Sequence, residues 1–281
     1  MNPTAGLSFK PVHFEEAMAC SAAGMWFEVH AENYMVDGGP RLAMLDALRR
    51  DHPISLHGVG LSLASADEPD LKHVARLKEL VERTEPFLVS EHLAWSRHGT
   101  TCFPDLLPFP RTTEALGLIA RNIAIVQETL GRRILIENPS LYVRLEGHEF
   151  AESEFLAELS RQTGCGLLID VNNVFVTSNN IGFSPRAYLD ALPCEAIGEI
   201  HLAGHSPDPV HGRHLLIDSH DGPVSEEVWD LYDWLLARCG GHRPPTLVER
   251  DDNIPEFAVL MAERDCAAAM LARRWACRDA A

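Results

Sequence analysis

With 281 residues, 46% of them hydrophobic and 23% charged, the chain has an ordinary globular composition and room for one large α/β domain or two small ones. Its 41 acidic residues against 24 lysines and arginines leave a formal charge of −17, which argues against nucleic acid as a partner, because neutralising phosphates takes clustered cations. Seven widely spaced cysteines without a C-x-x-C pair argue against a disulfide framework or a thiolate zinc site, and for a reducing, cytoplasmic setting. The N-terminus lacks a basic region followed by an apolar core, so no signal peptide is expected. No apolar run approaches the roughly 20 residues that span a bilayer.

In chain order, strand and helix patterns alternate. A weak first strand, Gly6-Leu7-Ser8-Phe9, leads into a helix over Phe14–Ala23, and Met25-Trp26-Phe27-Glu28-Val29 forms the second strand. Four further β-rich apolar runs end at His57, His92, Glu137 and Asp170; the seventh ends at His201 and the eighth at Glu249. Helical stripes lie between them: Leu71, Val74, Leu77, Leu80 and Val81, then Leu116, Ile119, Ile123, Val126 and Leu130. Phe155, Leu156 and Leu159 form another, Val228, Leu231, Trp234 and Leu235 a fourth, and a terminal helix covers Phe257 to about Trp275. Eight such units predict one (β/α)8 TIM barrel over residues 1–281. An open doubly wound sheet is disfavoured because no G-x-G-x-x-G loop follows the first strand.

In a barrel of this kind the C-terminal strand ends meet around one mouth, where active sites form. Here those ends carry imidazoles and carboxylates. A lone histidine at a strand end is more often structural than ligating. Glu137 and Asp170 follow three large aliphatics each, where an unpaired carboxylate is costly to desolvate and no adjacent cation stands in the sequence. Asn173, three residues after Asp170, has a ligating carbonyl but also a turn-forming habit. Asp218-Ser219-His220 places two ligands on one side of an extended segment. Together, four His, two Asp and two Glu with Asn173 exceed the needs of one ion, and oxygen and imidazole donors without thiolate suit iron, manganese or zinc.

The order of ligand types resembles the endonuclease IV and xylose isomerase class of metal-dependent barrels. Within it, the wording of the motifs resembles the multinuclear non-heme iron-dependent oxidative enzymes, a family that modifies ribosomally made peptides. The resemblance rests on Glu32-Asn33-Tyr34, Ser55-Leu56-His57-Gly58, Ser90-Glu91-His92-Leu93-Ala94-Trp95-Ser96, Asp105-Leu106-Leu107-Pro108, Glu137-Asn138-Pro139-Ser140, Asp170-Val171-Asn172-Asn173, Glu199-Ile200-His201-Leu202-Ala203-Gly204-His205 and Ile217-Asp218-Ser219-His220-Asp221. It covers nearly the whole chain. It implies His57, His92, Glu137, Asp170, Asn173, His201, Asp218, His220 and Glu249 as metal ligands, two or three mixed-valent iron ions, and dioxygen as oxidant. It also implies cysteines of a precursor peptide as the target and a separate protein that recognises the peptide's leader. His205 and Asp221 are the candidates for moving a proton or orienting a ligand. Two departures, Lys10 in the first strand and Arg250 after Glu249, bear on substrate identity more than on metal.

Three other readings remain: a zinc phosphodiesterase of the endonuclease IV kind, a sugar isomerase, and a non-catalytic metal-storage or scaffold protein. The acidic surface disfavours the first, and the scarcity of lysine at the strand ends the second. Ligands at an open mouth disfavour the third.

Overall fold

The computed structural model describes residues 4–276; Cys277 falls outside them. In chain order the elements are β1 (Ala5–Ser8), α1 (Phe14–Ala19), β2 (Phe27–His30), α2 (Pro40–Asp51), β3 (Ile54–Gly58), α3 (Leu71–Thr84), β4 (Leu88–His92), β5 (Trp95–His98) and β6 (Thr101–Leu107). There follow α4 (Thr113–Leu130), β7 (Leu135–Glu137), α5 (Glu152–Thr163), β8 (Gly166–Asp170), α6 (Val171–Ile181), α7 (Pro185–Asp190) and β9 (Ile197–Leu202). The chain closes with β10 (Ser206–Asp208), β11 (Gly212–Ile217), α8 (Glu226–Cys239), β12 (Thr246–Val248) and α9 (Phe257–Ala276).

Eight strands form a closed barrel in the order β1-β12-β9-β8-β7-β4-β3-β2, and every pairing in it is parallel. This is the expected (β/α)8 architecture. Two antiparallel pairs, β5 with β6 and β10 with β11, stand outside the barrel on the connections that leave β4 and β9.

Strand alternation divides each barrel strand between two environments. One set of residues, including Leu56, Val89, Ile136, Ile169, Ile200 and Val248, joins the helices in the main apolar core. The other set points into the barrel, and toward the C-terminal ends it turns from leucine to acids and imidazoles. The helices stand where their stripes require. In α3, Val74, Leu77, Leu80 and Val81 are buried while Leu71, in the first turn, is exposed. Thr112 caps α4 by accepting from Ala115 N at 3.1 Å, and Gly131 ends it at φ 67°.

Some expectations shift. The first helix stops at Ala19, four residues early, and α2 and α6 went unassigned in the periodicity. Trp234 is 38% exposed and belongs to the outer face of α8. There its indole N–H donates to Asp190 and the Arg186 guanidinium lies 4.7 Å over the ring.

Leu156 on α5 is fully buried in the helix–barrel core. Leu156→Ala is expected to lower the unfolding free energy by about 2–5 kcal/mol, read from denaturant titration; a loss under about 1 kcal/mol would mean that this layer does not hold the barrel closed.

Candidate metal centre

The site begins where β3, β4 and β7 end. His57 and His92 are the last inward residues of neighbouring strands, with ring centroids 4.5 Å apart. Each is held through Nδ1: His57 by Ser90 Oγ at 2.8 Å, His92 by the Gly58 carbonyl at 3.0 Å. The carbonyl only accepts, so His92 Nδ1 carries the proton and Nε2 keeps its lone pair. Both Nε2 atoms converge on Glu137 Oε2, at 3.2 and 3.4 Å. Parity alone did not choose between Glu91 and His92. Glu91 instead turns toward the loop after β3, accepting from Leu61 N and His92 N.

Asp170 ends β8 and caps α6, its Oδ1 accepting from Asn173 N at 2.7 Å. This cap aims Asn173 back over the mouth, where its Nδ2 donates to the Asn138 carbonyl at 3.1 Å and to Glu137 Oε1 at 3.4 Å. Asp170 Oδ2, Asn173 Oδ1 and Glu137 Oε2 are buried without a hydrogen-bond partner. Buried, unsatisfied oxygens of this kind are what a cation would bind.

On the far side, His201 from β9 presents Nδ1 to Glu249 Oε2 at 3.3 Å. His220 joins it from the turn after β11, with Nδ1 3.5 Å from Glu249 Oε2 and Nε2 2.8 Å from Asp218 Oδ1. His220 has φ 48°, a left-handed conformation uncommon outside glycine, though histidine adopts it more readily than most residues, and such conformations cluster at functional sites. Three groups of donor atoms link through shared residues: His57–His92–Glu137, Glu137–Asp170–His201 and Asp170–His220–Glu249. Asn173 and Asp218 adjoin them through Glu137 and His220. All nine sequence-predicted ligands thus lie in one continuous cluster.

His205 and Asp221 stand outside it. His205 Nδ1 lies 2.8 Å from Asn172 Oδ1, and Asn172 Nδ2 donates to Asp218 Oδ1 at 2.7 Å, so His205 reaches the cluster only through an amide. Asp221 accepts from Ser219 Oγ at 2.5 Å across a tight turn. Sequence reading passed over Glu28, Glu199, His30 and Asp251. His30 Nε2 lies 3.2 Å from Glu249 Oε1, and His220 Nδ1 is 3.2 Å from Asp251 Oδ2. Glu199 stands two residues before His201, so the same alternation could have found it. Lys10 pairs with Asp251 at 2.6 Å, and Arg250 is buried against Glu263, turned away from the mouth.

The electrostatics follow from burial and crowding. Burial, reinforced by His92 and His201, pushes His57 well below the usual histidine range and keeps it in the neutral, ligating form. Burial pushes Glu137 well above the carboxylate range, with Asp170, Glu249 and Glu28 adding to it against His201. Asp170 is pushed up to about 7, first by burial and then by Asp218. Glu249 runs the other way: burial opposes its charge, but His220, His201 and His30 together hold it well below the ordinary value. A divalent cation would supply the positive charge that Glu137 and Asp170 lack and favour their ionised forms. The residues therefore fit a metal site.

A parallel eight-stranded barrel with acids and imidazoles at its C-terminal mouth defines the chain as a (β/α)8 protein with a candidate metal site. Solved structures of similar shape are xylose isomerase-like barrels. Endonuclease IV from Thermus thermophilus gives a TM-score of 0.60 at 18% identity, over 94% of this chain and 98% of that one. The 3-keto-D-glucoside 4-epimerase YcjR from E. coli gives 0.58 at 14%, over 97% and 100%. At such identities they speak to the fold. Among sequence relatives, a UPF0276 protein of Caulobacter vibrioides is 59% identical over 281 residues, covering 100% of this chain and 99% of the relative. One from Bordetella bronchiseptica is 52% identical over 270 residues, 96% and 93%. The sequence model of the RiPP precursor modification enzymes MbnB/TglH/ChrH matches residues 4–272. The chain belongs to that family, whose members modify precursors of ribosomally synthesised peptides.

Gly204 lies where the connection after β9 crosses the turn that carries His220. A Cβ there would sit 2.2 Å from the Gly222 carbonyl oxygen and 2.7 Å from that of Pro223, both backbone, while Gly204 O already accepts from His220 N at 3.0 Å. Gly204→Ala is expected to cost about 1–3 kcal/mol in thermal unfolding; an unchanged melting temperature would show that the turn yields freely.

Proposed function

We propose that this chain is a multinuclear iron enzyme that uses dioxygen to oxidise cysteine residues of a precursor peptide, helped by a separate protein that recognises the peptide's leader. What supports it most is the continuous run of nine donors with buried, unpartnered oxygens on Glu137, Asp170 and Asn173, in a chain whose family modifies such precursors. The ligands would divide into His57 and His92 on one side and Asp218 and His220 on the other. His201, Asp170, Asn173, Glu137 and Glu249 stand between. Bound iron would supply one-electron chemistry and acidify a coordinating thiol; two or three ions suit the number of donors.

The chain's own residues do the rest. The Nδ1 contacts of His57 and His92 fix both rings before anything binds, so ligation requires little side-chain ordering. Asn172 couples His205 to Asp218: His205 Nδ1–H donates to the amide oxygen while the amide N–H donates to the carboxylate. Burial keeps His205 below the usual histidine range, so its ring is neutral near pH 7. Its Nε2 is then free to take a proton from a substrate group at the rim. Asp221, tied to Ser219, holds the turn that presents Asp218 and His220.

Glu137→Ala is expected to leave a folded protein with most of its iron and all of its activity gone. Anaerobic purification, metal analysis and Mössbauer spectra measure the first; oxygen uptake with a cysteine-containing precursor peptide measures the second. Full iron retention in the variant would remove Glu137 from the metal site. Zinc-dependent phosphodiester hydrolysis without oxygen uptake would overturn the oxidative reading. His205→Gln is expected to keep its iron and lose about 10²–10⁴-fold in rate if it moves a proton; an unchanged rate would leave it only an orienting contact.

A further inference from the structure

Two buried acids lie deeper in the barrel than the nine donors and have no part in the mechanism above. Glu28 on β2 and Glu199 on β9 are 1% and 0% exposed, and neither carboxyl accepts an aligned hydrogen bond through either oxygen. Such groups are costly in a protein interior unless something faces them. His201 does: its Nε2 is 3.3 Å from Glu28 Oε1 and 3.7 Å from Glu199 Oε1, while its Nδ1, on the other edge of the ring, faces Glu249. Strand alternation puts them there, since Glu199 and His201 are two residues apart on β9, and Glu28 is aligned between Ser8 of β1 and Ser55 of β3.

A neutral imidazole has one lone pair. With Nδ1 turned to the cluster, Nε2 carries the proton and needs an acceptor to hold the ring at the right angle. The same nitrogen cannot also ligate a further ion between Glu28 and Glu199, so the two uses exclude each other. The donor atoms of Glu28, Glu199 and His201 all lie within 4.8 Å of one another, so both carboxyls crowd the same edge of the imidazole.

We infer that Glu28 is a positioning residue: its Oε1, 3.3 Å from His201 Nε2, is placed to take the Nε2–H when Nδ1 is turned to a metal, with Glu199 packed beside it on the same edge of the ring. The inference rests on the metal-centre reading above. An acceptor facing Nε2 would also make His201 a stronger donor through Nδ1. His57 and His92 need no such device, because Ser90 and the Gly58 carbonyl serve them.

The test is a cobalt(II) titration of the full-length, metal-free protein, followed by visible absorption, for wild type, Glu28→Gln and Glu28→Leu. Circular dichroism records the fold of each. In Glu28→Leu one cobalt equivalent is expected to bind about 10–100-fold more weakly with a displaced absorption band, while the equivalent held by His57 and His92 is unmoved. Glu28→Gln, which keeps an acceptor oxygen, should recover part of that loss. Wild-type affinity and spectrum in Glu28→Leu would overturn the inference, as would equal weakening of every equivalent in a folded variant. If Glu28→Leu does not fold, Glu28→Gln decides: an unchanged band and affinity overturn it. A wild type that binds no cobalt would sink the metal-centre reading itself, whereas a wild type that binds with indifferent variants sinks only the role of Glu28.

Discussion

Everything at the mouth depends on one constraint: a parallel strand can satisfy the apolar core with only half of its residues. Ile136, Ile169, Ile200 and Val248 give that half to the helices, which frees the alternate positions to be polar. The closed barrel then carries Glu137, Asp170, His201 and Glu249 to within a few ångströms of one another, all at most 3% exposed. Charges about 4 Å apart interact by about 4 kcal/mol at an effective dielectric constant of 20. No member of the set can change its ionisation or position without changing its neighbours.

The two sides of the cluster are built differently. His57, His92, Asp170 and Asn173 are fixed by strand ends and by a helix cap that doubles as a donor. Asp218 and His220 stand on a turn, with His220 in a left-handed conformation and both side chains partly exposed. Sites on regular elements are more precise than sites on loops. The arrangement pairs a half built on regular elements with a half built on a turn, and the second is also the one linked through Asn172 to His205.

Much of this was legible because the mouth is where strands end, and the ends were marked by residue type. An aliphatic triplet followed by an acid or imidazole gives both the strand and the ligand, as in Leu167-Leu168-Ile169-Asp170. What was not legible lies inside elements. Glu28 and Glu199 sit within apolar strands, where an inward acid looks like an interruption until the neighbouring strand supplies its partner. Helix α6 starts directly on Asp170 with two asparagines, so its first turn reads as a loop. Trp234 fits the spacing of a buried stripe, yet its indole and a cation–π contact suit the surface better. The β5–β6 and β10–β11 pairs carry short, mostly solvent-facing strands without the alternation that betrays a half-buried sheet.

A barrel of this shape houses an endonuclease and an epimerase as readily as a peptide-modifying enzyme, so its fold does not choose the substrate. The choice must come from what rises above the strand ends. Here that is the two antiparallel pairs and the turn bearing Tyr142, whose hydroxyl receives the backbone N–H of Asp218 at 3.2 Å. The departures at Lys10 and Arg250 fit the same division: one is engaged with Asp251 at the rim and the other is buried away from it. Neither side chain pairs with any of the nine donors, and only Lys10 stands at the rim.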